Sequence, residues 1–297
     1  MSIRARALAA ILASAWLSSS AVAQDSEERE GGIIGTGIVG TVTHLGSIFV
    51  NDLRVQVADG MPVTGSVPAM TVADLRPGHT VAIVAERRED GWHARQVRQV
   101  LPLVGQVTGI GAQGLTVLGT QVDPGGLSGD LQVGDWVAVS GLWQGPRLLA
   151  SRIEALEGAD HPARLSGSYL GPNPNGDTVI GGSVLSGIEP WHLQPGDLVR
   201  VTGQPTPEGI RADALTTGLF DEAVGLIQVQ GYLSRPQATG LYTVLGSGLV
   251  AYTDQPQMID TLTTVIQCGQ MGRLGEIEAN DLTEPGLETR FLSELSC

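Results

Sequence analysis

The residues of this 297-residue chain whose types and spacing could support chemistry are two glycine clusters, one Asn-Gly loop, five histidines and two cysteines. Gly35-Thr36-Gly37-Ile38-Val39-Gly40 and Gly109-Ile110-Gly111-Ala112-Gln113-Gly114 both carry the spacing of a dinucleotide-binding turn. Such a turn needs glycines that leave a strand and open a helix, whose N-terminus then holds the pyrophosphate. Here the clusters run into Thr41-Val42-Thr43 and Leu115-Thr116-Val117, which form strands, so nucleotide binding is not expected. Pro172-Asn173-Pro174-Asn175-Gly176-Asp177 offers oxygens to a calcium ion, but Asn-Gly signals a tight turn and the glutamate that completes an EF-type loop is missing. His44, His79, His93, His161 and His192 stand singly, without an i, i+4 pair or a nearby cysteine, so a metal site is not expected. Nor is there a Gly-x-Ser-x-Gly elbow or an acidic pair set apart by its context. No catalytic residue and no cofactor are expected.

Cys268 and Cys297 are the only cysteines. In an oxidising compartment a disulfide is the favoured reading, and closing a loop of about 29 residues would stabilise the fold by about 3–4 kcal/mol if chain entropy governs. The alternative is a buried Cys268 and a frayed, free Cys297. Among the tryptophans, Trp136 is the most informative. If Val137 and Val139 face a core, as Val199 and Val201 should, then Trp136 and Leu198 share the outward face with Arg200 and Thr202. Trp136 is then either an interface between neighbouring domains or a docking surface for glycan or protein. Trp92, Trp143 and Trp191 lie in or near turns; Trp143 is a second candidate surface contact, although a lid over the end of a small barrel is the more ordinary role.

The elements that must position these residues form a repeat. Gly40, Gly105, Gly167 and Gly231 each open a unit and lie 62 to 65 residues apart. A strand, turn, strand element follows, with Asn51-Asp52, Gly119-Thr120 and Gly181-Gly182 as its tight turns and a looser one at residues 242–250. Next comes the best-kept stretch, Asp130-Leu131-Gln132-Val133-Gly134-Asp135-Trp136-Val137-Ala138-Val139, with relatives at residues 74–85 and 192–203. His79 stands where those copies have Asp135 and Asp197, and a turn residue bonding its own backbone is its simplest role. A closing strand is expected to begin at Ala94, Ala150, Ala212 and Ala279. In the last copy Thr263-Thr264-Val265-Ile266-Gln267-Cys268-Gly269 replaces the Gly-Asp strand, so that copy is diverged and suited to capping an array. The expected class is all-β: tandem small, OB-like, five-stranded barrels, packed end to end because each is only marginally stable alone. The bounds are residues 36–99, 100–160, 161–220 and 221–297.

The order Val-Gly-x-Val, strand and turn, Asp-Leu-x-x-Gly-Asp/His-x-Val-x-Val, then a strand with Ala resembles the bacterial family known as domain of unknown function 5666. That resemblance implies a small barrel-like β domain of exported proteins, often repeated. It covers residues 39–215 well and the last unit poorly, and it brings no activity and no site residue.

Residues 1–23 read as a secretory signal: Arg4 and Arg6, an apolar run of about eleven residues, then Ala21-Val22-Ala23. A bilayer needs roughly 20 apolar residues, so no membrane span is expected after cleavage. Residues 24–35 form an acidic lead-in with little to bury. Losing Arg4 and Arg6 takes the net charge from −14 to −16, which argues against nucleic acid, since binding it depends on neutralising phosphates. The expectation is a non-catalytic modular protein of the cell envelope, periplasmic or secreted, that binds or scaffolds a protein or glycan partner. The alternative is a carbohydrate-active or hydrolytic enzyme whose site forms between barrels. An outer-membrane barrel is disfavoured by short strands and only 4% aromatic residues.

Overall fold

A computed structural model describes residues 35–44, 46–127, 129–158, 161–189, 191–270, 272–275 and 295. The expected signal segment and the lead-in up to residue 34 lie outside these residues, while Gly35 already belongs to the first strand. Barrel 1 comprises β1 (Gly35–His44), β2 (Ile48–Val50), β3 (Leu53–Gln56), a small inserted hairpin of β4 (Pro62–Thr64) and β5 (Met70–Thr71), then β6 (Thr80–Arg88) and β7 (Gly91–Gln99). The ring runs β1–β2–β3–β7–β6 and back to β1, with β3–β7 as the parallel pair.

Barrel 2 repeats this order with β8 (Leu103–Gly111), β9 (Gly114–Val117), β10 (Thr120–Asp123), β11 (Trp136–Gln144) and β12 (Arg147–Leu156). Barrel 3 repeats it with β13 (Ala163–Pro172), β14 (Thr178–Ile180), β15 (Ser183–Ser186), β16 (Leu198–Thr206) and β17 (Gly209–Thr217). Barrel 4 is built from β18 (Val224–Tyr232), β19 (Leu241–Thr243), β20 (Val250–Tyr252), β21 (Thr264–Gln270) and β22 (Arg273–Leu274), and among the described residues a bridge between Leu233 and Val244 links its first strand to β19. The class is all-β, in tandem OB-like barrels.

The repeated residues have repeated physical jobs. A Cβ on Gly40 would lie 2.1 Å from Asn51, on Gly105 2.9 Å from Leu118, on Gly167 2.8 Å from Ile180 and on Gly231 2.7 Å from Val244. Each opening glycine therefore lets the hairpin of its own unit cross the first strand. The turn before the fourth ring strand is copied bond for bond. Gly78, Gly134 and Gly196 take φ of +94°, +102° and +104°, and their N–H groups donate to Val42, Val107 and Tyr169 carbonyls at 2.7–2.9 Å. The next side chain accepts the N–H three residues back: Arg76 to His79 Nδ1 at 3.0 Å, Gln132 to Asp135 and Gln194 to Asp197 at 2.8 Å.

Two expectations need correcting. The second hairpin turns at Leu118 and Gly119, both at positive φ, one residue before the expected pair. The closing strands begin at Gly91, Arg147 and Gly209, and Ala94, Ala150 and Ala212 sit inside them, opposite Ala85, Gly141 and Gly203, where the closing strand itself bulges. A bulge crowds its partner's backbone, which is why only small residues stand there. In barrel 4 Gly269 faces Leu274 with the Arg273 carbonyl equally close, so β22 stands in the matching place; the closing strand expected at Ala279 lies outside the described residues.

The units do not form an open string with a terminal cap. β18 adds to β1 in parallel, joining barrel 4 back to barrel 1, while β8 and β13 join barrels 2 and 3. Buried side chains run through these joints: Leu103, Val139, Leu165 and Val201 share one core, and Val39, Ala82, Val229 and Leu249 share another. A barrel of about 64 residues buries too little alone, so its neighbours complete its core. Among the described residues no helix is long and apolar enough to cross a membrane.

Candidate functional site

The outer face of barrel 3 is where the structure gathers polar groups from distant parts of the chain. Leu165, Val199 and Val201 point inward, so alternation sends Arg164 and Ser166 of β13, Arg200 and Thr202 of β16, and Ala214 and Thr216 of β17 to the opposite face. These residues are in register across the three strands and form the floor of a cavity of about 210 Å³. Barrel 1 supplies its roof through Gly65, Arg98, Gln99 and the linker residues Val100 and Leu101, and Leu219 borders it.

Three arginines meet here with one carboxylate beside them. Arg98 pairs with Asp221, Arg200 approaches the same carboxylate at 3.8 Å, and Gln96 donates to it at 3.0 Å. Arg200 Nε donates to the Gly218 carbonyl at 2.7 Å, and Arg164 Nη1 to the Gly65 carbonyl at 2.8 Å. Arg164 has no acidic partner among the described residues. Burial pushes its pKa down, and burial together with the charge of Arg98 does the same to Arg200, partly offset by Asp221. Desolvation would raise the pKa of Asp221, but the bond and charge of Arg98, with Gln96 and Arg200, hold it below the usual carboxylate range. Seven buried side-chain N or O atoms lack a hydrogen-bond partner among the described residues, and five belong to residues lining this cavity: Arg98 Nε, both amide atoms of Gln99, Arg164 Nε and Ser166 Oγ. Buried polar groups are nearly always bonded, so such a concentration sets this cavity apart from the rest of the described protein. A second hollow of about 290 Å³ on barrel 1 is lined by Asp52, Arg54, Arg87, Asp90 and Trp92, where acids balance bases.

The residues singled out from sequence fare differently. Trp136 and Trp143 are 7% and 4% exposed, so neither offers a surface contact. Trp136 lies edge-on to His161 in the segment between barrels 2 and 3, at 5.9 Å between ring centroids. Trp143 is a wedge: its Nε1–H donates to the Ser166 carbonyl at 2.8 Å, and a Cβ on Gly181 would lie 2.1 Å from its ring. Trp92 is buried in barrel 1 with Arg87 over its ring, while Trp191 is 84% exposed beside His192. Cys268 is buried on β21, and Cys297 lies outside the described residues.

His79 bonds its own turn, as read from sequence, and also does something its spacing did not reveal. Its Nδ1 accepts a backbone N–H, so the proton sits on Nε2, which donates to Glu154 of barrel 2 at 2.9 Å. That bond, against some desolvation and with help from Arg152, lowers the Glu154 pKa to about 2. Ser151 Oγ donates to the Gly78 carbonyl beside it, so the pair ties barrel 1 to barrel 2.

Neither glycine cluster meets a helix: residues 35–40 lie within β1, and 109–114 form the β8–β9 turn. Asn173 Oδ1 accepts the N–H groups of Asn175 and Asp177, so this oxygen is engaged within its own turn. Among the described residues no three His, Cys, Asp or Glu side chains gather closely enough to hold a metal ion. The arginine cluster was missed because its members come from the end of one unit and two strands of another, with no spacing to announce them. One compositional signal was there: every one of the 17 Lys+Arg residues is an arginine.

The fold and its inter-barrel cavity define a modular β protein assembled from OB-like units. Residues 104–154, which run from β8 to β12 and so make up barrel 2, match the family described as Domain of unknown function (DUF5666). No curated protein and no solved structure matches the chain. One DUF5666 segment is thus one closed barrel here, and barrels 1 and 3 repeat its strand order and its turn bonds.

Proposed function

We propose that the chain is an exported, non-catalytic binding protein of the cell envelope, periplasmic or secreted, whose ligand enters the cavity between barrels 1 and 3. The observation that carries this reading is the set of unpartnered polar atoms around that cavity, on strands whose ladders hold them rigidly. Export rests on the signal-like first 23 residues and suits the excess of acidic residues. A disulfide between Cys268 and Cys297 fits the same compartment. Leu295, two residues before Cys297, is buried and its carbonyl accepts from Gln228, which faces Cys268 across the β18–β21 ladder.

The test is native mass spectrometry of the purified chain after incubation with a small-molecule extract of envelope. Retention of one added mass, lost in Ala214→Trp, which fills the cavity, is the expected result; a ligand that survives this change would place binding elsewhere. Hydrolysis of polysaccharides or esters by the purified chain would favour the enzyme alternative. Recovery in the cytoplasmic fraction, or two free thiols without reductant, would remove the export and disulfide readings.

A further inference from the structure

The cavity differs from an ordinary packing gap in the sign of what surrounds it. Arg98, Arg164 and Arg200 line one volume of about 210 Å³, and among the described residues Asp221 is the single carboxylate paired with them. Two positive charges are therefore left over at a buried site in a chain whose net charge is −14. Like charges brought together out of water repel one another strongly, and a low local dielectric magnifies the effect. A fold that holds them there on paired strands has something to gain from a negative guest.

We infer that this cavity is a site for a small, multiply charged oxyanion, a phosphate, a sulfate or a short dicarboxylate, gripped by Arg164 and Arg200 from barrel 3 and Arg98 from barrel 1. This rests on the binding role proposed above and adds the ligand's chemistry. The guanidinium fork suits the planar spacing of such oxygens and stays charged under partial burial. Among the described residues Arg164 and Arg98 each keep an Nε–H without a partner, and Ser166 and Gln99, 7% and 3% exposed, add an unbonded hydroxyl and an unbonded amide to the same lining. The volume admits an anionic group with a few further atoms and excludes a polymer. Because two barrels contribute, an anion would also brace the seam between them.

Calorimetric titration of the whole purified chain at low ionic strength, separately with inorganic phosphate, sulfate and succinate and with glucose as the neutral control, tests this. One or more of the anions should bind at one per chain with a Kd between about 1 µM and 1 mM, the range open to so small a ligand. Arg164→Gln should weaken it by about tenfold or more, and Arg164→Lys by less, since the charge remains while the fork is lost. Should Arg164→Gln not fold, Ser166→Ala read in the same titration should still weaken binding. The inference is overturned if none of the three anions binds at 10 mM (on the order of the weakest useful affinity), or if binding is unchanged in the variants. Capture of an uncharged molecule that Ala214→Trp abolishes, with no anion bound, would keep the binding role and remove the anion.

Discussion

Barrel 3 meets barrel 2 along one seam and barrel 1 along another, and Ser166 touches both. Toward barrel 2 its carbonyl takes the indole N–H of Trp143, whose ring lies where Gly167 and Gly181 have no side chains, while Thr120 and Ser183 hydroxyls bond at 2.8 Å nearby. Toward barrel 1 the same residue lends a hydroxyl with no partner to a cavity ringed by arginines. Around Trp143 the first seam is filled and its polar groups are paired; the second is open, and several of its polar atoms have no partner among the described residues. Since both are built from the same repeated unit, the difference reflects side-chain choice on the outer faces.

That contrast can be broken by mutation. Trp143→Ala should cost the most, about 3–5 kcal/mol, because it empties a buried ring and strands the Ser166 carbonyl; chemical denaturation reads it directly. Gly181→Ala should come next, at about 1–3 kcal/mol, from a Cβ at 2.1 Å from the ring and a φ of +60°. His79→Ala should cost about 2 kcal/mol by losing both the turn bond and the bridge to barrel 2, whereas His79→Asn, which restores an acceptor for the Arg76 N–H, should recover about half of that.

The seam between barrels 1 and 2 has a pH signature. Folding lowers the Glu154 pKa from 4.5 to about 2, so its contribution is fully present above the unfolded pKa and fades as pH falls from about 4.5 to 2. Solvent screening at this half-exposed group keeps the effect to about 1 kcal/mol or less. Glu154→Gln should flatten thermal stability across that window. Arg164→Gln should do least, shifting stability by about 0.5–1 kcal/mol, as it breaks one neutral-acceptor bond and no ion pair. If it cost as much as Trp143→Ala, the open seam would be structural after all.

Much of the fold was legible because a barrel of this size writes its constraints locally. The opening glycines, the Gly-Asp turn and the alternating valines could be read from spacing, and each has a physical cause inside one unit. The fourth unit was harder to read, since it lost the Gly-Asp turn that marks the other three. The two tryptophans were half legible: packing of Trp136 between neighbouring units agrees with its place against His161, whereas neither ring is the surface contact also read for it. Alternation tells which face of a strand a residue occupies, and Trp136 does lie away from the core side of Val137 and Val139, but it does not tell whether a neighbouring segment covers that face.

The order of residues alone settled the repeat, the all-β class, the turns and the inward faces, because these depend on contacts within about 64 residues and on backbone conformations only glycine readily takes. The return of β18 to β1, the bridge from His79 to Glu154 and the meeting of Arg98, Arg164 and Arg200 were decided only when four barrels packed together. Those arrangements lie on outer faces, where nothing in a strand's own pattern says which other strand will come to lie against it.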